Sequence, residues 1–305
     1  MDYLKQTADD LIKSRLFAGI EWQVSKGGKG IFSGKSGFQD LADGSEIPAN
    51  ALYRIYSMTK PIISVLALKL IEDGQLQLTT TLAEIDNRFL NMSVLNSDGH
   101  LAPADGLITV DHLLTHRAGF SYDFSIGCAV APYYRQAELM ENGYRDLGDI
   151  IEILSDLPLV FNPGSNWRYS VATDVLAHVL ETITRKTISE LLKEHIFDPL
   201  EMTETAFIVG VNDQKRIMQI YGVRSLSELP ILKRLPHDLS KPADIGRSHP
   251  LDYQNFRRGG YGLFFNNFGL YEIRKYASKW KNQGWWNYSF SKHVEYDASD
   301  TSKLS

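Results

Sequence analysis

Ser57-Met58-Thr59-Lys60-Pro61-Ile62-Ile63-Ser64-Val65-Leu66-Ala67-Leu68 sets a hydroxyl and an amine at the mouth of an apolar helix. Three residues along a helix is close to one turn, so Ser57 and Lys60 share a face and their functional atoms can meet. Pro61 suits the first turn, where the amide it lacks would have had no intrahelical partner. The first amides of such a helix are also free to hold an oxyanion. The helix is predicted to begin at Ser57, to divide Ile62, Val65, Leu66, Lys69, Leu70 and Asp73 between an inner and an outer face, and to stop at Gly74. A serine at that position also serves as an ordinary helix cap without chemistry. The same Ser-x-x-Lys spacing recurs at Ser278 to Lys281 and Ser289 to Lys292, among Trp, Lys and Asn and without a following apolar helix. Context singles out the first copy.

Working outward, residues 2–17 carry an amphipathic helical pattern with Leu4, Ala8, Leu11, Ile12 and Leu16 as the buried side and Gly19 as its end. Residues 20–25 and 30–37 read as two strands joined by a glycine-rich hairpin turn at Gly27-Gly28-Lys29-Gly30. That turn lacks the Gly-x-Gly-x-x-Gly or Gly-Lys-Ser/Thr pattern of a phosphate cradle. Residues 52–56 form a short strand feeding the Ser57 helix. Helices are predicted at 110–115, 147–156, 173–184 and 188–197, separated by Pro132, Pro158, Pro163-Gly164 and Pro199, and a strand at 205–209. This order describes an α+β (mixed α/β) fold with a helical insertion and a cleft at the junction, where Ser57 sits. The sheet-containing part is assigned to 1–60 and 200–268, the helical part to 61–199, and an atypical tail to 269–305.

Composition narrows the function. The 305 residues are 43% hydrophobic and 23% charged, within the range of a globular protein. A formal net charge of −5 and the lack of a basic stripe argue against a nucleic-acid partner. The apolar run at 62–71 is too short to cross a bilayer and contains Lys69, and no basic-then-apolar leader opens the chain. A single cysteine, Cys128, excludes an internal disulfide and a thiolate metal cluster, which points to a reducing, cytoplasmic setting. His112 and His116 have the i, i+4 spacing of helix-borne zinc ligands, but no glutamate follows His112 and Arg117 flanks His116. Two hydrogen-bonded histidines near a buried turn are the expectation, rather than a metal site. The Gly-x-Ser-x-Gly elbow of a Ser-His-Asp hydrolase is absent from the sequence.

A lysine that serves as base must first lose its proton. Because an ordinary ammonium has a pKa of about 10.4, burial or a neighbouring cation has to favour the neutral amine. Tyr169, in Asn166-Trp167-Arg168-Tyr169-Ser170-Val171, follows the Pro163-Gly164 turn and precedes a helix, so it is placed to enter the cleft and share proton traffic. Its commoner use would be as an aromatic cap on the helical core.

Four segments occur in a familiar order: Tyr53-Arg54-Ile55-Tyr56-Ser57-Met58-Thr59-Lys60-Pro61, Leu113-Leu114-Thr115-His116-Arg117-Ala118-Gly119, Pro163-Gly164 before Tyr169-Ser170, and Gly259-Gly260-Tyr261-Gly262-Leu263. Together they resemble the β-lactamase-like serine hydrolases, in the branch of class C β-lactamases, D-alanyl-D-alanine carboxypeptidases and family VIII esterases. The resemblance implies an antiparallel sheet flanked by helices, a helical region beside it, and an active site between them. It implies that Ser57 is the acylated nucleophile, Lys60 the general base and Tyr169 the tyrosine of the second motif, with the His116 segment structural. The implied reaction is acyl transfer on the ester, amide or lactam carbonyl of a small molecule, with no metal or organic cofactor required.

Two departures qualify this reading. Val171, assigned to substrate binding, stands where many penicillin-recognising members carry asparagine and cannot donate a hydrogen bond, which favours esters over β-lactams and D-alanyl peptides. The third motif of the family, Lys-Thr-Gly or a His-x-Gly or Trp-x-Gly variant, is not found after Leu263, where Trp280, Trp285 and Trp286 cluster instead. The expectation is a C-terminally incomplete or divergent chain. Two classes stay open: a working serine hydrolase, or a relative that keeps a ligand-binding cleft without turnover.

Overall fold

The computed structural model describes residues 2–26, 29–139, 145–222, 233–234, 257–260 and 262–266. The hairpin tip at Gly27-Gly28, Tyr261, the two later Ser-x-x-Lys copies and the tryptophan cluster lie outside the described residues.

Helix α1 (Asp2–Lys13) leads into β1 (Gly19–Lys26), β2 (Lys29–Asp40) and β3 (Ser45–Glu46), which form an antiparallel three-stranded sheet in that order. The predicted hairpin is correct: Trp22 pairs with Gly34 and Gly19 with Gly37, and a Cβ on Gly34 would stand 2.3 Å from the Trp22 ring. The predicted helix 2–17 ends earlier than expected, at Lys13. Arg15, with φ 58°, closes it in a Schellman arrangement: its N–H bonds the Ile12 carbonyl and the Leu16 N–H reaches Leu11. Glycine is the usual residue there, so the stop was invisible in the sequence.

Strand β4 (Tyr53–Arg54) is shorter than the 52–56 expected, because Tyr56 turns into the left-handed region at φ 45° and a 3₁₀ turn (Tyr56–Met58) follows. Helix α2 (Thr59–Glu72) therefore starts two residues later than predicted, and no side-chain hydrogen bond caps it. Gly74 ends it as anticipated, at φ 73°, in a second Schellman arrangement with Gln75 N–H on the Leu70 carbonyl. Ile62, Ile63, Leu66, Ala67 and Leu70 have no exposed surface. A helix apolar on most of its circumference belongs at the centre of a domain, and α2 packs on further helices of the chain.

The further helices of the described residues are α3 (Leu82–Ile85), α4 (Val110–Leu114), α5 (Ala131–Gln136), α6 (Leu147–Ser155), α7 (Ala172–Thr184) and α8 (Ile188–Leu192), the last continued by a π turn at Lys193–Phe197, and α2 packs on α7 and α8. Reciprocal capping boxes open four of them, from Thr81, Thr109, Asp146 and Thr187. The four helices predicted in this region are present within a few residues of their expected bounds. Pro132 is no breaker, however: it sits in the first turn of α5, where a missing N–H is harmless. A small hairpin, β5 (Ser93–Leu95) with β6 (Leu101–Pro103), interrupts the helical region.

Strands β7 (Tyr221–Gly222), β8 (Lys233–Arg234) and β9 (Phe264–Phe265) complete the described elements. β7 pairs with β8, and β9 pairs antiparallel with β4, Tyr53 opposite Phe265 and Arg54 opposite Phe264. The strand expected at 205–209 reduces to one bridge, Ala206 to Phe264. The architecture is mixed α and β, with small antiparallel sheets beside a helical core, and one large apolar cluster runs from Ile55 through α2 and α7 to Leu263 and Phe265. The β4–β9 pairing lays the 257–266 stretch alongside the residues that precede Ser57.

Candidate active site

Ser57 lies in the 3₁₀ turn and is exposed. The first bond of that turn is donated by Met58 N–H to the Ile55 carbonyl, so the Ser57 amide comes before the bonded ladder. Tyr56 precedes it in a conformation that costs a non-glycine residue about 1–3 kcal/mol. Its strain is borne on both sides by the β4–β9 ladder and the buried start of α2.

Lys60, in the first turn of α2, is buried. Its Nζ stands 3.3 Å from Ser57 Oγ and donates to the Gly260 carbonyl at 2.8 Å. It also lies over two aromatic faces, 4.7 Å from the Tyr169 ring centre and 5.5 Å from that of Tyr122. Ser57, Lys60 and Tyr169 are thus gathered at one point from two places in the sequence. Tyr169 is 38% exposed, and its hydroxyl makes no hydrogen bond among the described residues. Its contact with Lys60 is through the ring face.

The His116 segment explains why Tyr169 is there. Gly164, at φ 80°, approaches His112 so closely that a Cβ would stand 2.7 Å from Nε2, and Arg117 donates to the Gly164 carbonyl. Arg168 N–H bonds the His116 carbonyl, and Ser170 N–H donates to His116 Nδ1 at 3.3 Å. The His116 ring then packs 5.0 Å from Tyr169. Two peptide segments some fifty residues apart are laced together by these bonds, leaving Tyr169 projecting from the seam. The two histidines do not face one ligand. His112 accepts the Thr109 N–H at the start of α4, while His116 lies past the end of α4 in a left-handed conformation.

Burial, and then the charge of Lys60, push the His116 imidazole down to about 4. The Ser170 amide donates to Nδ1, which makes that nitrogen an acceptor and opposes a proton on it. The unfolded chain, with a histidine near 6.5, binds the proton first, so stability is complete above pH 6.5 and declines as pH falls toward 4. The expected loss is about 2–3 kcal/mol, from about 1.4 kcal/mol per pKa unit. Urea unfolding at pH 7 and pH 4.5 checks this. His116→Asn, which tolerates the left-handed backbone and keeps an acceptor, should lose much less between those two pH values than the parent.

Val171 is placed differently from Tyr169: it has no exposed surface, and it packs in the helical core at the head of α7. Two neighbours of Lys60, Gly260 and Tyr122, and one of Gly260, Asp174, are not marked as such by the sequence. Gly260 was visible as part of a motif but not as an acceptor. Tyr122 and Asp174 carried no signal beyond following Gly119 and Tyr169 in the chain. An apolar cavity of about 460 Å³ lined by Phe197, Met202, Thr205 and Phe207 includes none of Ser57, Lys60 and Tyr169. Among the described residues, no three His, Cys, Asp or Glu side chains gather into a metal site. No helix there is long and apolar enough to cross a membrane.

Compared with known protein families, the chain matches the one described as Beta-lactamase over residues 4–286. The chain belongs to the beta-lactamase family. Among its relatives, Esterase EstB of Burkholderia gladioli is 30% identical over 206 residues, covering 66% of this chain and 50% of EstB. Lovastatin esterase of Penicillium rubens is 31% identical over 185 residues, covering 58% and 45%. This beta-lactamase-family chain spans about half the length of these curated relatives. Among solved structures, EstCE1, a hydrolase with promiscuous acyltransferase activity, superposes with a TM-score of 0.74 at 24% identity, covering 89% of this chain and 70% of its own. That likeness establishes the fold.

Proposed function

We propose that the chain is a serine hydrolase that works by acyl transfer, with Ser57 as nucleophile, Lys60 as general base and Tyr169 as an auxiliary group at the reacting centre. The observation that carries this reading is the approach of a buried lysine amine to an exposed serine hydroxyl, at 3.3 Å. In its neutral form Nζ can keep one N–H on the Gly260 carbonyl and offer its lone pair to the Ser57 proton. As Oγ attacks the substrate carbonyl carbon, the proton moves to Nζ and the negative charge gathers on the carbonyl oxygen. The Ser57 amide, free of the turn's ladder, is available to that oxyanion. Collapse expels the alcohol with the proton from Nζ and leaves an acyl-Ser57 ester. Water, activated by the same amine, then attacks the ester and releases the acid. Tyr169, over whose ring the amine rides, bounds the path that proton takes.

Carboxylic esters are the favoured substrates. Position 171 is apolar and completely buried, so it supplies no amide donor for the side-chain amide of a penicillin or a D-alanyl peptide. EstB and lovastatin esterase, the esterase relatives, agree with this choice. A short p-nitrophenyl ester and a chromogenic cephalosporin compared on the same preparation test it. The ester should turn over at least about tenfold faster by kcat/KM, since a lost hydrogen bond to a charged or aligned partner is worth roughly 1.4 kcal/mol or more. Faster cephalosporin turnover would reverse the assignment.

A further inference from the structure

We propose that Asp174 is a positioning residue that sets the Lys60 amine through the backbone of Gly260. This inference rests on Lys60 acting as the base of the reaction. The shorter of the two side-chain contacts of Nζ is to the Gly260 carbonyl, at 2.8 Å against 3.3 Å to Ser57 Oγ, so the carbonyl is the anchor that aims the amine. Gly260 is in turn held by its own N–H, which donates to Asp174 Oδ1 at 3.0 Å inside the protein. One residue, two hundred positions from the lysine in sequence, thus presents its amide to an acid and its carbonyl to the amine.

Asp174 stands in the first turn of α7 and is 1% exposed. Its second oxygen, Oδ2, is buried and makes no hydrogen bond among the described residues. That oxygen lies flat against Gly260, where a Cβ would stand 2.3 Å from it. At Gly259 a Cβ would fall 1.9 Å from the Thr173 carbonyl oxygen, so both glycines are required by the approach of this stretch to α7. Other ties hold the stretch as a whole. Arg258 donates to the carbonyls of Arg145 and Asp146 at the head of α6, and Arg257 lies 3.8 Å from Glu181 on α7. The Asp174 bond is the tie made by Gly260 itself.

A buried carboxyl with an idle oxygen is costly, and an asparagine would accept the same N–H. The same helix start follows Tyr169 by three residues, so the turn that carries Asp174 ties the acceptor of Lys60 and the arm of Tyr169 to one rigid element.

Asp174→Ala and Asp174→Asn, measured beside the parent, test the proposal. The readouts are the rate of fluorophosphonate labelling of Ser57 as a function of pH, and thermal unfolding of the same samples. With its acceptor no longer held in place the amine loses its aim at Ser57, so Asp174→Ala should label about 10- to 100-fold more slowly while folded, with its pH midpoint displaced from the parent's. Asp174→Asn should stay within about threefold of the parent with an unchanged midpoint. Among the described residues, the titratable groups facing Nζ are Tyr122, Tyr169 and His116, and all remain in both variants. Should Asp174→Ala fail to fold, Asp174→Glu carries the test, since the longer acid displaces Gly260 and should slow labelling with a shifted midpoint.

Parent-like rate and midpoint in a folded Asp174→Ala or Asp174→Glu would overturn the inference. So would a lowered unfolding temperature in either with the pH midpoint unmoved, the mark of a purely structural role. If the parent itself shows no Ser57-dependent labelling, the reading of Lys60 as base falls first and takes this inference with it. Labelling of the parent with indifferent Asp174 variants removes the inference alone.

Discussion

Ser57→Ala is expected to abolish covalent capture by a fluorophosphonate and to lower ester hydrolysis by about 10⁴-fold or more, while leaving the fold intact. The magnitude follows from the non-additivity of nucleophile and base: once the attacking oxygen is gone, what remains is binding and oxyanion stabilisation alone. The fold should tolerate the change. The Ser57 side chain is exposed and makes no cap bond, and α2 is held by the burial of Ile62, Ile63, Leu66 and Leu70 rather than by its first turn. Activity and thermal unfolding measured on one preparation separate the two effects. A variant that still hydrolyses the ester at the parent's rate would place the nucleophile elsewhere in the chain.

The second large effect is expected at Lys60. Lys60→Met keeps the length and apolar stem of a side chain packed between Tyr122 and Tyr169 but removes the amine, so it tests the proton transfer rather than the packing. General-base removal lowers turnover by about 10²- to 10⁴-fold. The Gly260 carbonyl also loses its donor, which adds a smaller cost in stability of about 1–2 kcal/mol. Because the amine acts in both acylation and hydrolysis of the acyl-enzyme, kcat and labelling rate should fall together. Loss of turnover with undiminished labelling would confine Lys60 to the second half of the reaction.

The sequence was most legible where local rules and tertiary packing agree. The apolar run after Ser57 became the central helix α2, Gly74 ended it with the backbone that glycine allows, and the first two strands pair antiparallel as a hairpin. Where a residue adopts a conformation that its type rarely does, the element boundary is not visible in the sequence. Arg15 closes α1 and Tyr56 breaks β4, both at positive φ without being glycine, so each boundary fell short of its predicted place. Very short strands such as β5 and β9 have too few residues to show a period, and their existence depends on partners brought up by the fold.

The site divides the same way. Ser57 and Lys60 were readable because their proximity is a helical spacing. Tyr169 was readable from the turn before it and the helix after it. The Gly260 carbonyl and the Asp174 carboxyl were not, since their relation to Lys60 exists only after β9 pairs with β4 across some two hundred residues. Val171 exposes the limit of reading a site by position in a motif. The residue occupies the expected place in the sequence, and its side chain is turned wholly into the core.

The central claim is that catalysis passes through an ester of Ser57. Rapid acid quenching during turnover of a slow ester, followed by proteolysis and mass spectrometry, tests it most directly. The peptide containing Ser57 should carry the mass of the acyl group, and the label should vanish on further incubation before quenching. Acylation of a different residue, or steady turnover with no acylated peptide at any time, would contradict it.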